Sequence, residues 1–134
     1  MSQLALRRVA VRDLNRPRPV ELPESILCTD PETVIDDPAV DIVVEVMGGL
    51  EPARSLILRA IAAGKPVVTA NKAVIARYGE EIAAAAAARG VYVLIEAAVG
   101  GGIPIIEPLK QSLGSNRIQR VSGIINGKIG RAHV

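Results

Sequence analysis

Residues 67–109, VVTANKAVIARYGEEIAAAAAARGVYVLIEAAVGGGIPIIEPL, decide the fold. Val67, Val68 and Thr69 make a short β-branched run and residues 91–95 (VYVLI) a longer one, while residues 73–89 between them have the Ala-, Glu- and Arg-rich composition of a helix. Strand, helix and strand in that order form a βαβ unit. Its crossover is right-handed by the usual rule, so both strands run parallel and end on the same sheet edge. That edge is where open α/β sheets bind ligands. Ala70-Asn71-Lys72 follows the first strand and residues 96–104 (EAAVGGGIP) follow the second. The polar cluster and the glycine-rich turn therefore belong to one site.

Upstream, residues 41–46 (DIVVEV) read as a further strand, apolar on both faces as parallel sheets require, with Gly48-Gly49 turning the chain at its end. Residues 50–63 then form a helix with Leu56, Ile57, Ala60 and Ile61 on its inner face, stopped by Gly64. Asp30 as N-cap and Pro31 at the first helical position open a helical turn that reaches Ile35. Residues 4–11 read as a buried strand and residues 12–19 as a turn-rich stretch. The alanine run 83–88 lies inside a helix bounded by Glu80, Glu81 and Arg89, which makes it a close-packed helix face. Downstream, residues 105–113 read as a helix and residues 117–125 as the next strand.

Composition narrows the function. The chain has 134 residues, enough for one modest core. It has no Trp and no Phe, so that core is built from Ala, Val, Ile and Leu, and the aromatic platforms that stack single-stranded bases are absent. A net charge of +2 with scattered Arg residues gives no nucleic-acid surface. No apolar run is long enough for a membrane span, and the N-terminus lacks the signal-peptide pattern, so a cytoplasmic protein is expected. The single Cys28 has no internal disulfide partner and reads as a small apolar residue near a loop.

TANKA at residues 69–73, EAAVGGGIPIIEPL at residues 96–109 and GIING at residues 123–127 resemble, in order and spacing, the central part of homoserine dehydrogenases. VVEVMGGLEPARSLILRAIAAGKPVVTANKA (residues 43–73) extends the resemblance upstream, so that it covers roughly residues 8–127. It implies an α/β fold: a partial Rossmann-type parallel sheet lacking its first strand and phosphate loop, leading into the start of an α+β substrate domain. Residues 1–99 are then the partial NAD(P)-binding domain and residues 100–127 the hinge and start of the substrate and dimerisation domain. The strand–GxGxxG–helix element that carries the pyrophosphate is expected upstream of Met1, which reads as an internal or misassigned start. Residues 128–134 read as a non-native tail, because Ile-Gly-Arg-Ala-His-Val is one reading frame of a common sequencing adapter. The only histidine, His133, lies in that tail.

On spacing alone, Lys72 reads as a solvated lysine at a helix N-terminus, although a cation is poorly placed against the helix dipole there. The resemblance implies the other reading, a cofactor-contacting residue that helps organise catalysis, whose charge favours a polarised oxygen. Met47, Gly48 and Gly49 align with the family's cofactor-contacting turn; taken alone, the glycines are equally an ordinary strand-to-helix turn. Arg12 follows the strand whose tip meets the adenosine ribose, and with Arg16 and Arg18 nearby it leans toward NADP, while Asp13 keeps NAD open. Glycines that free main-chain carbonyls, with one acidic residue beside them, can suit a hard cation, but taken alone three consecutive glycines read as a flexible turn or a close helix approach and imply no metal. The resemblance implies a monovalent metal, sodium, at Glu96, Val99, Gly101 and Ile103.

The activity implied is interconversion of L-homoserine and L-aspartate 4-semialdehyde with NAD or NADP, on the route to threonine, isoleucine and methionine, in a homo-oligomeric enzyme acting on a small-molecule substrate with no nucleic-acid or membrane partner. The family's proton-donating second lysine and its substrate-gripping acids fall beyond this chain, so the chain by itself is expected to be inactive. The alternatives are a non-catalytic Rossmann-like binding module or an inactive truncated gene product.

Overall fold

In a computed structural model, which describes residues 4–123, the strands pair in parallel and form two small sheets. Val9–Ala10 (β1) pairs with Leu27–Cys28 (β2). After the short helix Glu32–Asp36 (α1), Val43–Glu45 (β3) pairs with Val67–Thr69 (β4), and β4 pairs with Val93–Leu94 (β5). The crossovers are Ala53–Ala62 (α2) and Lys72–Arg89 (α3). Sheet order β3-β4-β5 matches chain order, so the C-terminal ends of all three strands lie on one edge, as the βαβ reading requires. The main-chain carbonyl of Asp37 accepts from Lys65 Nζ at 2.6 Å, and its carboxylate accepts from Arg8 Nε at 2.8 Å, which ties the first segment to the second sheet.

Periodicity explains the core. Leu56, Ile57, Ala60 and Ile61 of α2 all point inward, and Val74, Ile82 and Ala86 of α3 meet them over Val43 and Val67. Asn71 caps α3 by accepting from Val74 N at 3.2 Å, and Gly90 ends it in the left-handed conformation at φ +70°. A Cβ at Gly90 would meet nothing within 4 Å, so an alanine there is penalised by backbone conformation alone. Gly90→Ala is therefore expected to destabilise by about 1 kcal/mol, whereas Gly79→Ala, at ordinary helical φ and with only Ile75 Cγ2 in van der Waals contact, should stabilise by about 0.5–1 kcal/mol. Urea midpoints of the two variants check this, and shifts of the same sign would contradict it.

Several expectations need correction. The buried strand over residues 4–11 shrinks to β1, and Leu4 is 93% exposed, because β1 has a partner on one side only. Strand 41–46 is not buried on both faces: Val43 and Glu45 face the helices, whereas Ile42, Val44 and Val46 are exposed, since α2 and α3 cover one face only. Residues 91–95 narrow to β5, and Tyr92 is exposed. The first helical turn starts at Glu32, with Asp30 Oδ1 accepting from Glu32 N at 2.9 Å. α2 begins after Pro52, whose ring leaves no N–H to donate. In the alanine run only Ala86 is buried and Ala85 partly so. α4, Ile106–Gln111, matches the helix expected over 105–113. Residues 117–123 form no strand and are exposed; residues 124 and 125, and the tail 128–134, lie outside the described residues. β2 was not anticipated, because two residues, Leu27 and Cys28, carry no readable period.

Candidate functional site

The C-terminal ends of β3 and β4 meet in a buried polar network. Glu45 and Thr69 are the last residues of their strands and lie opposite each other in register. Glu45 is 4% exposed, and its carboxylate is surrounded by donors. Thr69 Oγ1 donates to Oε2 at 2.6 Å, while Met47 N at 2.8 Å, Gly48 N at 3.4 Å and Asn71 Nδ2 at 3.4 Å donate to Oε1. Asn71 Nδ2 also donates to the Gly49 carbonyl at 2.8 Å, and Asn71 N donates to Thr69 Oγ1 at 3.0 Å. A buried carboxylate is tolerated only when it is hydrogen-bonded, and here both of its oxygens have donors.

This network joins two of the elements singled out in the sequence. Gly48 and Gly49 have φ +76° and +77°, a conformation that disfavours side chains, and a Cβ at either would meet nothing within 4 Å. The turn is thus open to the approach of a ligand. Its Gly49 carbonyl is bonded to Asn71, the residue immediately before Lys72, and Lys72 is exposed at the first position of α3. Met47 is exposed beside the turn. Met47, Gly48, Gly49 and Lys72 therefore share one rim. Arg12 does not join them: it is exposed in the loop after β1, in the other sheet. Arg18 is turned back on the carbonyls of Asp13, Leu14 and Arg16, so its guanidinium ties the turn together.

The sequence reading does not single out Glu45, and it marks Thr69 and Asn71 only as a strand end and part of the polar cluster after it. A signal was present: one acid interrupts the apolar run VVEVM, and an acid on the inward face of a strand calls for donors nearby.

The glycine-rich turn contains a 3-10 turn, Glu96–Ala98, followed by Gly100 and Gly101 at φ +76° and +67°. Glu96 Oε1 accepts from the N–H groups of Ile105 and Ile106, and Oε2 accepts from Glu107 N at 3.0 Å. The carboxylate thus caps α4. The Ile105 N–H, opposed by burial and supported by those of Glu107 and Ile106, holds its pKa below the ordinary carboxylate value. A pKa lowered by folding contributes stability above the unfolded value and loses it as pH falls through the folded one. Acid titration below the ordinary carboxylate range should therefore release the amides of residues 105–107. Glu96→Gln should remove that pH dependence, and an identical acid transition in the variant would disprove the assignment.

Among the described residues no helix is long and apolar enough to cross a membrane. Residues 2–96 match the family model for the homoserine dehydrogenase NAD-binding domain. Over 127 residues the chain is 65% identical to a homoserine dehydrogenase of Synechocystis sp., which covers 95% of this chain and 29% of that protein. Among solved structures, a homoserine dehydrogenase from Thiobacillus denitrificans superposes with a TM-score of 0.74 at 55% identity, covering 84% of this chain and 26% of the other. A hyperthermophilic archaeal homoserine dehydrogenase in complex with NADPH gives a TM-score of 0.55 at 31% identity, covering 60% and 25%. The chain spans less than a third of the length of the curated relatives it matches.

Proposed function

The chain belongs to the homoserine dehydrogenase family, and on that premise we propose that it forms the nicotinamide-side edge of an oxidoreductase interconverting L-homoserine and L-aspartate 4-semialdehyde. The observation that supports this is the bond from Asn71 to Gly49, which joins the open glycine turn to the helix start bearing Lys72. The residues present fit a nicotinamide cofactor on this side, since neither glycine places an atom in its way. When bound, that cofactor gives or takes the hydride. The Gly48-Gly49 turn lets backbone approach the ribose or pyrophosphate, and Met47 offers an apolar contact beside it. Lys72 brings a compact ammonium to the rim, where it favours negative charge developing on the substrate oxygen.

NAD or NADP serves in this reading. The NADPH complex of the archaeal relative supports a nicotinamide cofactor, and Arg12 is the residue proposed to meet a 2′-phosphate. For a sodium ion, the carbonyls of Val99, Gly101 and Ile103 accept no hydrogen bond among the described residues and are the oxygens left to hold it. The Glu96 carboxylate, which also holds the start of α4, keeps an Oε2 lone pair for the ion. We place the NAD(P)-binding part at residues 1–99 and the hinge toward the substrate domain at residues 100–127. The test is a graft in which this chain replaces the matching segment of the Synechocystis enzyme, assayed for homoserine oxidation and for its dependence on Lys72.

A further inference from the structure

Nothing in the proposed chemistry uses Glu45, yet it is the most heavily bonded side chain at the site. It sits on the inward face of β3, two residues after Val43, where an apolar residue would serve the core without the desolvation that a carboxylate incurs. Its donors come from three separate segments: Thr69 at the end of β4, Met47 and Gly48 in the turn, and Asn71 at the start of α3. The turn itself contains two glycines at positive φ, and such a pair is conformationally permissive unless something outside it fixes the backbone. Asn71 supplies the second tie, from the opposite side, through the Gly49 carbonyl.

We propose that Glu45 is a positioning residue that locks the Met47-Gly48-Gly49 turn and the Asn71-Lys72 helix start into one fixed rim, so that backbone and ammonium meet the cofactor in a set arrangement. The inference rests on the cofactor reading of that rim. It acts through geometry, so a neutral acceptor of the same shape should substitute for the carboxylate. Glu45→Gln retains an oxygen for Met47 N and can turn its amide N–H toward Thr69 Oγ1, which has a lone pair to receive it. Glu45→Leu removes every bond at similar volume. Asn71→Ser keeps the buried carboxylate, its bonds to Thr69, Met47 and Gly48, and a capping oxygen for α3, but loses the donor to Gly49 and to Glu45 Oε1.

Amide hydrogen exchange on the full chain reads the lock directly, and cofactor KM in the graft reads its consequence. Glu45→Leu should accelerate exchange of the Met47 and Gly48 amides at least tenfold while Val67 and Ile82 keep their protection, and should raise cofactor KM at least tenfold with a smaller change in kcat. Glu45→Gln should stay within about threefold of the parent on both measures. If Glu45→Leu does not fold, Asn71→Ser carries the test, with a rise in cofactor KM expected at a temperature where its unfolding curve shows it fully folded. Parent-like exchange at Met47 and Gly48 in Glu45→Leu, or a loss confined to kcat in proportion to unfolded protein, overturns the lock. Faster exchange with unchanged cofactor KM overturns instead the cofactor reading on which the proposal rests.

Discussion

In the graft, Lys72→Ala is expected to lower kcat/KM for homoserine at least tenfold, equivalent to about 1.4 kcal/mol of transition-state stabilisation, without changing the fold. Lys72 is the first residue of α3 and is exposed, so it is not part of the core. A cation at a helix N-terminus is disfavoured by the helix dipole, and its removal should leave stability unchanged or slightly improved. A variant that loses turnover while keeping its melting temperature therefore separates chemistry from folding. Lys72→Arg should recover only part of the activity, because a planar guanidinium cannot take the place of a compact ammonium. Circular dichroism and steady-state kinetics on the three proteins check this. Parent-like kinetics for both variants would return Lys72 to the role of a solvated surface lysine.

The parts of the fold visible in the sequence are those where local chemistry and tertiary packing agree. α2 could be read because its apolar positions recur at helical spacing and Gly64 stops it where a left-handed residue is needed, and α3 because its Ala-, Glu- and Arg-rich composition favours a helix. β4 could be read from three β-branched residues between a helix stop and a cap. The outer strands were overread. Apolar runs such as residues 41–46 say that a strand can be covered on both sides, but not whether the covering elements are present, and Val44 and Val46 are exposed here. In the site, Gly48, Gly49 and Lys72 stood out because glycine pairs and strand-end lysines are conspicuous in one dimension. The Glu45–Thr69–Asn71 network was less accessible, since it depends on register: Glu45 and Thr69 are 24 residues apart and meet only when β3 and β4 pair. Glu96 shows the converse. The family resemblance gave it a cation-ligand role, whereas its hydrogen-bond partners, three N–H groups at the start of α4, depend on how the glycines bend the chain and could not be read in one dimension.

Ile57→Ala is expected to destabilise the chain by about 3 kcal/mol, within the usual range for deleting a buried isoleucine side chain. Ile57 is 1% exposed, midway along α2, and belongs to the cluster in which α2 and α3 close over Val43 and Val67. Few neighbours can move into the space it leaves, because Ala60 and Ala53 beside it are already fully buried and have no side-chain length with which to fill it. The informative control is Val44→Thr, on the adjacent residue to Val43 but on the opposite face of the same strand, where 62% of the residue is exposed. Thr keeps the β-branch and nearly the same volume, so at an exposed position it should change stability by less than about 0.5 kcal/mol. Buried, the same hydroxyl would lack a partner and the change would exceed about 1 kcal/mol. Urea unfolding of the two variants thus reads the two faces of the sheet separately. A large loss for Ile57→Ala with none for Val44→Thr means that the hydrophobic core is one-sided in solution. A comparable loss for both means that the Ile42, Val44 and Val46 face is covered by something outside residues 4–123, and a dependence of the Val44→Thr effect on protein concentration would identify the cover as a second copy of this chain.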